Sequence, residues 1–478
     1  MKRFPLVLGT FSIMLLAGCT VGPKYAKPNV PTAPVDGFKE TDGWRPAQPS
    51  DQLLRGKWWE IFGDPQLNAL ENELTVSNQD LKMANDRFVE ARAMVHFNRA
   101  AQFPTISTSP GIESVRESAN TPYLPATKTT GDFVLPFDVS YELDVWGRVR
   151  RTVSASREEA QATAGDLATV NLSLHAELAY DYLELRSADA QKKLLDDTVK
   201  AYQDALQLTV NRFEGGAAPK SDVAQAQTQL QATMVQDTDI AVQRAQFEHA
   251  IAILIGRPPA AFSLPAAPLN LAPPDISSGL PSQLLERRPD IAAAERRIAE
   301  ANDQIGIARA AYFPTITLGA SGGFEGNSIT NWLTWPSRFW AVGPSLAETL
   351  FDGGRRRATS TAARANYDAT VANYRESTLT AFQQVEDNLA ALRILSQEAQ
   401  QQKEATASAE ESLQIFTNRY IGGADPYLQV LTAQTIALQN ERNDVDILRR
   451  RMDASVLLVK ALGGGWTVSD LPKTAELH

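Results

Sequence analysis

The sequence predicts a mostly α chain with a small β part: long antiparallel helices carrying four strands of alternating polarity. Three observations predict it. The first is a duplication: "RFEGGAAPKSDVAQAQTQL" from Arg212 and "RYIGGADPYLQVLTAQTIAL" from Arg419 match at an offset of 207. Gly147-Arg148 and Gly354-Arg355 repeat at the same offset, and "RAAQFPTIS" matches "RAAYFPTIT" with Pro104 against Pro314. The second is a switch of period, from helical to alternating and back, in the same order in both halves. The third is the sparseness of apolar positions in the long helices, which marks a seam between helices and not a broad buried face. Such helices suit a thin-walled tube, wet on both sides.

The elements follow in chain order. "MKRFPLVLGTFSIMLLAGC" joins a basic start to an apolar run and ends in Leu16-Ala17-Gly18-Cys19, the pattern of a secretory signal. Its end resembles the bacterial lipobox, in which Cys19 becomes the acylated first residue. Cys19 is the only Cys among 478 residues, so a disulfide within one chain is excluded. The net charge of −10 becomes −12 once Lys2 and Arg3 are removed with residues 1–18, which argues against a nucleic-acid partner. The Pro- and Gly-rich "VGPKYAKPNVPTAPVDGF" predicts an extended tether. We divide the chain into a signal peptide (1–18), a tether and equatorial part (19–62), a first helix–hairpin–helix repeat (63–255), a Pro-rich linker (256–280), a second repeat (281–462) and a tail (463–478).

Each repeat opens with helical periodicity that stops before a Phe-Pro, because Pro disfavours helical backbone in the residue ahead of it. In "TGDFVLPFDVSYELDVW", Phe133, Leu135, Phe137, Val139, Tyr141 and Leu143 share one parity. Asp132, Asp138, Ser140, Glu142 and Asp144 take the other, so the strand has an apolar face and an acidic one. In the second repeat Thr315, Thr317, Ser321 and Glu325 alternate with Ile316, Leu318, Ala320 and Phe324. Its return strand carries Trp340, Val342, Leu346 and Leu350, and Glu348 breaks that face, which places it near the end of the strand or outside the bilayer. After each hairpin the 3.6 period persists for about 60 residues, and at ~1.5 Å per residue such a helix approaches ~90 Å.

Two isolated hairpins offer no further strands to complete a soluble sandwich. An open edge cannot face lipid, where each unpaired backbone group costs several kcal/mol. Only a closed barrel resolves this, and bacterial barrels start at about eight strands. Four strands per chain therefore imply sharing: two chains give eight strands, three give twelve. Tyr123, Trp332, Trp335, Phe339 and Trp340 near the strand ends fit interfacial aromatic girdles.

"LAGCTVGPKY", "WWEIFGDPQLNAL", "DVSYELDVWGRVRR", "LLERRPDIAAAERRIAEANDQIGIARAAYFP" and "LFDGGRRR" together resemble the TolC-like outer-membrane factors, in their lipoprotein branch. The resemblance spans residues 19–465. It implies a homotrimer with a twelve-stranded barrel in the bilayer, a long helical barrel in the periplasm, and an outer-membrane exit duct of an efflux pump. The implied partners are a periplasmic adaptor and an inner-membrane pump. A type I protein-secretion duct and a non-pore periplasmic scaffold are the alternatives, and lipid-facing strands argue against the scaffold.

The resemblance also supplies site residues. The Gly215-Gly216 and Gly422-Gly423 turns become hairpin tips around a periplasmic mouth. The family's gating Tyr falls on Tyr420 and its Asp partner on Asp222, which alternatively caps its helix. The narrowing carboxylates fall on Gln429 and Thr432, so no acidic ring is expected, and Leu428 matches an apolar constriction. Asp425 stands where relatives carry Arg, and with Lys220 it suggests a sign-swapped lock. Enzyme motifs are lacking: His96, His175, His249 and His478 have no ligand spacing, and no phosphate loop or nucleophile elbow occurs. No cofactor or metal is implied.

Overall fold

The structure, a computed structural model, describes residues 20–29, 38–40, 56–116, 118, 129–274, 276 and 287–477. The signal segment, Cys19 and Tyr123 lie outside the described residues.

Helices α1 (Pro65–Ser77) and α2 (Gln79–Ala100) divide what periodicity reads as one segment. Asn78 separates them with extended backbone. Its Oδ1 accepts from the Leu81 amide at 2.8 Å and its Nδ2 donates to the Leu254 carbonyl at 2.8 Å. An Asn in this role satisfies an otherwise unpaired helix-terminal N–H, so a new helix starts there.

The first strand is also divided. Strands β1 (Thr105–Thr108) and β2 (Gly111–Val115) flank Ser109-Pro110, and both pair antiparallel with β3 (Thr130–Glu142). Pro110 has no N–H for the ladder, which interrupts the strand without moving it from its row. Next come α3 (Arg148–Glu214), α4 (Lys220–Leu254), α5 (Pro289–Ala310), β4 (Thr315–Gly326), β5 (Arg338–Ala347), α6 (Arg355–Ile421) and α7 (Tyr427–Ala461). Helices α3 and α6 each have 67 residues, or ~100 Å of helix. Both long helices and both returning helices keep the offset of 207 at each end.

The sheet has four rows in the order β1/β2–β3–β4–β5, so the two hairpins abut inside one chain through β3 and β4. Register puts Ile106, Val139, Ala320 and Val342 opposite one another, and Phe137 opposite Gly322, which faces Trp340. The intervening rows carry Asp138 against Ser321 and Glu142 against Thr317. The two faces read from alternation are therefore real. Glu348 lies just past the end of β5, outside the strand. Among the described residues β5 and the β1/β2 row have no neighbour on their outer sides. No described helix is long and apolar enough to cross a membrane.

Packing is concentrated at mid-height. Trp58, Trp59, Phe62, Tyr182, Ile251 and Leu458 belong to the one large core. The linker is a packed part of this core: Leu264, Leu269 and Ile276 are buried in it. Arg186 and Arg244 hold it by donating to the Pro265 and Leu264 carbonyls at 2.8 and 2.7 Å, and both guanidiniums share Asp189.

The described part of the tether is likewise docked. Arg151 donates to the Val21 and Pro23 carbonyls at 3.0 and 3.1 Å and pairs with Asp303 at 2.7 Å. Val21 N donates to the Trp146 carbonyl at 3.2 Å, which seats the start of the segment at the strand-to-helix junction. Gly306 leaves the space that Arg151 fills: a Cβ there would stand 2.3 Å from Arg151 Cδ.

Candidate functional site

The two hairpin tips meet at the end of the helices remote from the sheet. Each closes in the same way. Ala217 N reaches back to the Arg212 carbonyl at 2.7 Å and Ala424 N to the Arg419 carbonyl at 2.9 Å, five residues in both cases. That reversal needs left-handed backbone at Gly216 and Gly423, with φ of 74° and 78°. Gly215 and Gly422 remain right-handed.

The repeat symmetry then breaks. Arg419 forms a two-pronged ion pair with Asp425 at 2.6 and 3.0 Å, closing its own tip. The hydrogen bond from Arg419 holds the Asp425 carboxyl below its usual range. In the first tip the position equivalent to Asp425 is Ala218, so Arg212 has no such acceptor. It crosses to the second tip, where Nη1 donates to the Ile421 carbonyl at 2.8 Å and the guanidinium lies 4.7 Å from the centre of the Tyr420 ring. A cation at the last carbonyls of α6 also opposes the negative end of that helix.

Three expectations are corrected here. Tyr420 makes no hydrogen bond to Asp222: its ring is buried under Arg212 and against Tyr427, 5.3 Å away, and its hydroxyl has no partner among the described residues. Asp222 does not cap α4, whose N-cap is Pro219; it occupies the first turn, where its charge favours the helix terminus. The Lys220–Asp425 lock is not formed within the chain, because Arg419 holds Asp425.

Tyr427 was not singled out by sequence reasoning. With Ala226, Tyr420 and Val430 it makes a small core that binds the tips together. Burial first, then Tyr202, Tyr420 and the Asp222 charge, push its hydroxyl up to about 12, so it stays neutral. Tyr202 donates to the Gln434 carbonyl at 3.1 Å. The signal was available in the offset of 207, which sets Ala218 against Asp425 and Lys220 against Tyr427.

Leu428 is half exposed, and Gln429, Thr432, Thr435 and Ile436 are exposed with it along one side of α7. Thr432 Oγ1 donates to the Leu428 carbonyl at 2.9 Å, so its hydroxyl is used within the helix. The first charged residue of α7 is Glu441. The strip is neutral.

A sheet with one apolar face and two free edges, continued by helices of ~100 Å that end in a packed mouth, defines a membrane-spanning duct. The chain belongs to the outer membrane efflux protein family, whose model matches residues 70–257 and 280–464. It is 32% identical over 471 residues to the probable efflux pump outer membrane protein SepC of Pseudomonas putida, covering 96% of this chain and 97% of that one. It is 30% identical over 456 residues to OprJ of Pseudomonas aeruginosa, covering 95% and 94%. Among solved structures it superimposes on the outer-membrane channel OprN with a TM-score of 0.87 and 28% identity, covering 94% and 100%. The open state of the MtrE channel of Neisseria gonorrhoeae gives 0.83 and 26%, covering 94% and 99%. The chain is thus an outer-membrane channel component of an efflux system.

Proposed function

We propose that three copies of this chain form the exit duct of a tripartite efflux pump, receiving small toxic compounds through a periplasmic adaptor from an inner-membrane pump. The observation that carries this is the four-row sheet. Its apolar face requires lipid, and its two unpaired edges require other copies, twelve strands being the closure three chains give. The relatives named as efflux pump components support the cargo class.

Conductance of the purified trimer in planar bilayers tests the duct. A trimer that never conducts under any voltage or partner condition would favour the scaffold reading. Loss of the gene with unchanged drug and solvent tolerance, and a secreted protein trapped inside, would favour type I secretion.

In this reading the idle mouth is narrowed by the neutral strip of Leu428, Gln429 and Thr432, with Tyr420 held beneath Arg212. Lys220 and Asp222 are left to meet neighbouring chains. Cys19 carries the lipid anchor. Thr20 lies so close to Gly147 that a Cβ there would stand 2.5 Å from Thr20 Cγ2, and this supports an acyl group entering the bilayer where strands give way to helices. Cys19→Ser should abolish metabolic labelling by fatty acid while leaving conductance intact, since the barrel also holds the chain. Labelling that persists would refute the assignment.

A further inference from the structure

The strand register leaves two arginines, Arg338 and Arg116, on the lipid-facing side of the sheet with no ionic partner among the described residues. Arg338 opens β5 in the same parity as Trp340, Val342 and Leu346, and faces Phe324 across the ladder. It is exposed, and its guanidinium lies 3.3 Å from the centre of the Trp335 ring. Arg116 follows β2 in the parity of Ile112, which faces Phe133 on the apolar side. It too is exposed, and it has no ion pair among the described residues. Both lie in the half of the strands remote from the helices, Arg338 level with Pro110 by the register within one chain and Arg116 six positions further out.

Three tryptophans gather at that rim. Trp332 packs on Phe133 with ring centres 5.7 Å apart, so the 327–337 loop bends over the lipid side. Trp335 and Trp340 are 73% and 80% exposed, too apolar to be left in water. Aromatic side chains of this kind settle at the headgroup level. An arginine on a barrel's lipid face is costly at the midplane and nearly free at the interface, so Arg338 marks the boundary. Stacking on Trp335 orients its planar fork and leaves the N–H edge free for a two-pronged bond to phosphate.

In a closed barrel β5 of one chain neighbours the β1/β2 row of the next. The stagger that closure imposes slides one row along the other, so Arg338 and the next chain's Arg116 share each joint on the lipid side, with no carboxylate of their parity in β2 or β5. We propose that each joint binds the phosphorylated glycolipid of the outer leaflet, with Arg338 and Arg116 on its phosphates and the tryptophans against its acyl–sugar boundary. The site rests on the trimeric-duct reading.

Native mass spectrometry of the full-length trimer with added diphosphoryl lipid A tests it. Wild type should retain up to three lipids. Arg338→Ala with Arg116→Ala should weaken retention about tenfold while trimer mass and conductance persist. Arg338→Lys should fall between, because an ammonium cannot make the two-pronged bond. Undiminished binding by the double variant overturns the site, as does equal retention of a phosphate-free glycolipid. Competition by free pyrophosphate at equal affinity would replace the lipid with a soluble anion and overturn it too. A double variant that loses trimer mass, with lipid retained by what trimer remains, would show that the arginines join chains instead. Wild type that neither trimerises nor conducts would refute the duct, a result distinct from any of these.

Discussion

At the scale of single residues, the most consequential group outside the tips is a buried pair in the large core. Glu71 Oε2 lies 2.5 Å from His175 Nδ1, and Trp59 stacks on the imidazole at 4.3 Å. Burial pushes the carboxyl up to about 9 and the imidazole down to about 4, so near pH 7 both are neutral and the carboxyl O–H donates to Nδ1. The two groups act on stability in opposite directions. Glu71 contributes stability that is full below its unfolded value of 4.5 and is lost as pH rises towards 9. His175 contributes above 6.5 and loses its share as pH falls towards 4. The melting temperature should therefore peak between pH 5 and 6.5 and decline on the alkaline side. Glu71→Gln keeps a donor towards Nδ1 and removes the titration, so thermal melts from pH 6 to 9 should flatten. An unchanged slope would assign the decline to other groups. In the sequence His175 shows no ligand spacing, because its partner lies 104 positions away and only the fold brings the two together.

At the scale of elements, alternation and the repeat offset made strands and long helices legible because both are local, periodic signals. What they could not carry was competition for a partner. "RFEGG" and "RYIGG" read alike, yet one arginine closes its own tip and the other crosses to its neighbour, because Asp425 has no counterpart at Ala218. The same limit hid the docking of the tether. Its composition predicts an extended chain, and Arg151, 130 residues from Val21, fixes where that chain lies. The tip turn itself makes a sharp prediction. Gly423 is left-handed and Gly422 is not, so alanine at 423 costs about 1 kcal/mol in αL backbone while alanine at 422 costs little. Amide exchange at Ala424, whose N–H closes the turn, should quicken about fivefold in Gly423→Ala and stay within about twofold in Gly422→Ala. Equal effects would mean that the turn is already open in solution.

At the scale of the whole molecule, closure of the mouth is a property of three chains, and the contact most suited to holding it is Arg212 on the second tip. Its hydrogen bond to the Ile421 carbonyl and its stack on Tyr420 tie one hairpin to the other within each chain. A partly exposed cation–π contact contributes about 0.5–1 kcal/mol, and the bond to a helix-terminal carbonyl adds a similar amount after solvent competition. One copy is a weak latch. If the mouth opens only when all three latches release, their free energies add, and the logarithm of open probability should rise linearly with the number of Arg212→Ala chains. At about 1 kcal/mol per copy, each substituted chain raises opening about fivefold, and three raise it about a hundredfold. Trimers assembled from differently tagged wild-type and Arg212→Ala chains, sorted by tag and recorded singly in planar bilayers, give the four points of that line. A jump complete at the first substituted chain would mean that one released tip opens the mouth. No change until the third would mean that a single intact latch keeps it shut, and either outcome would replace additive latching with a different order of opening.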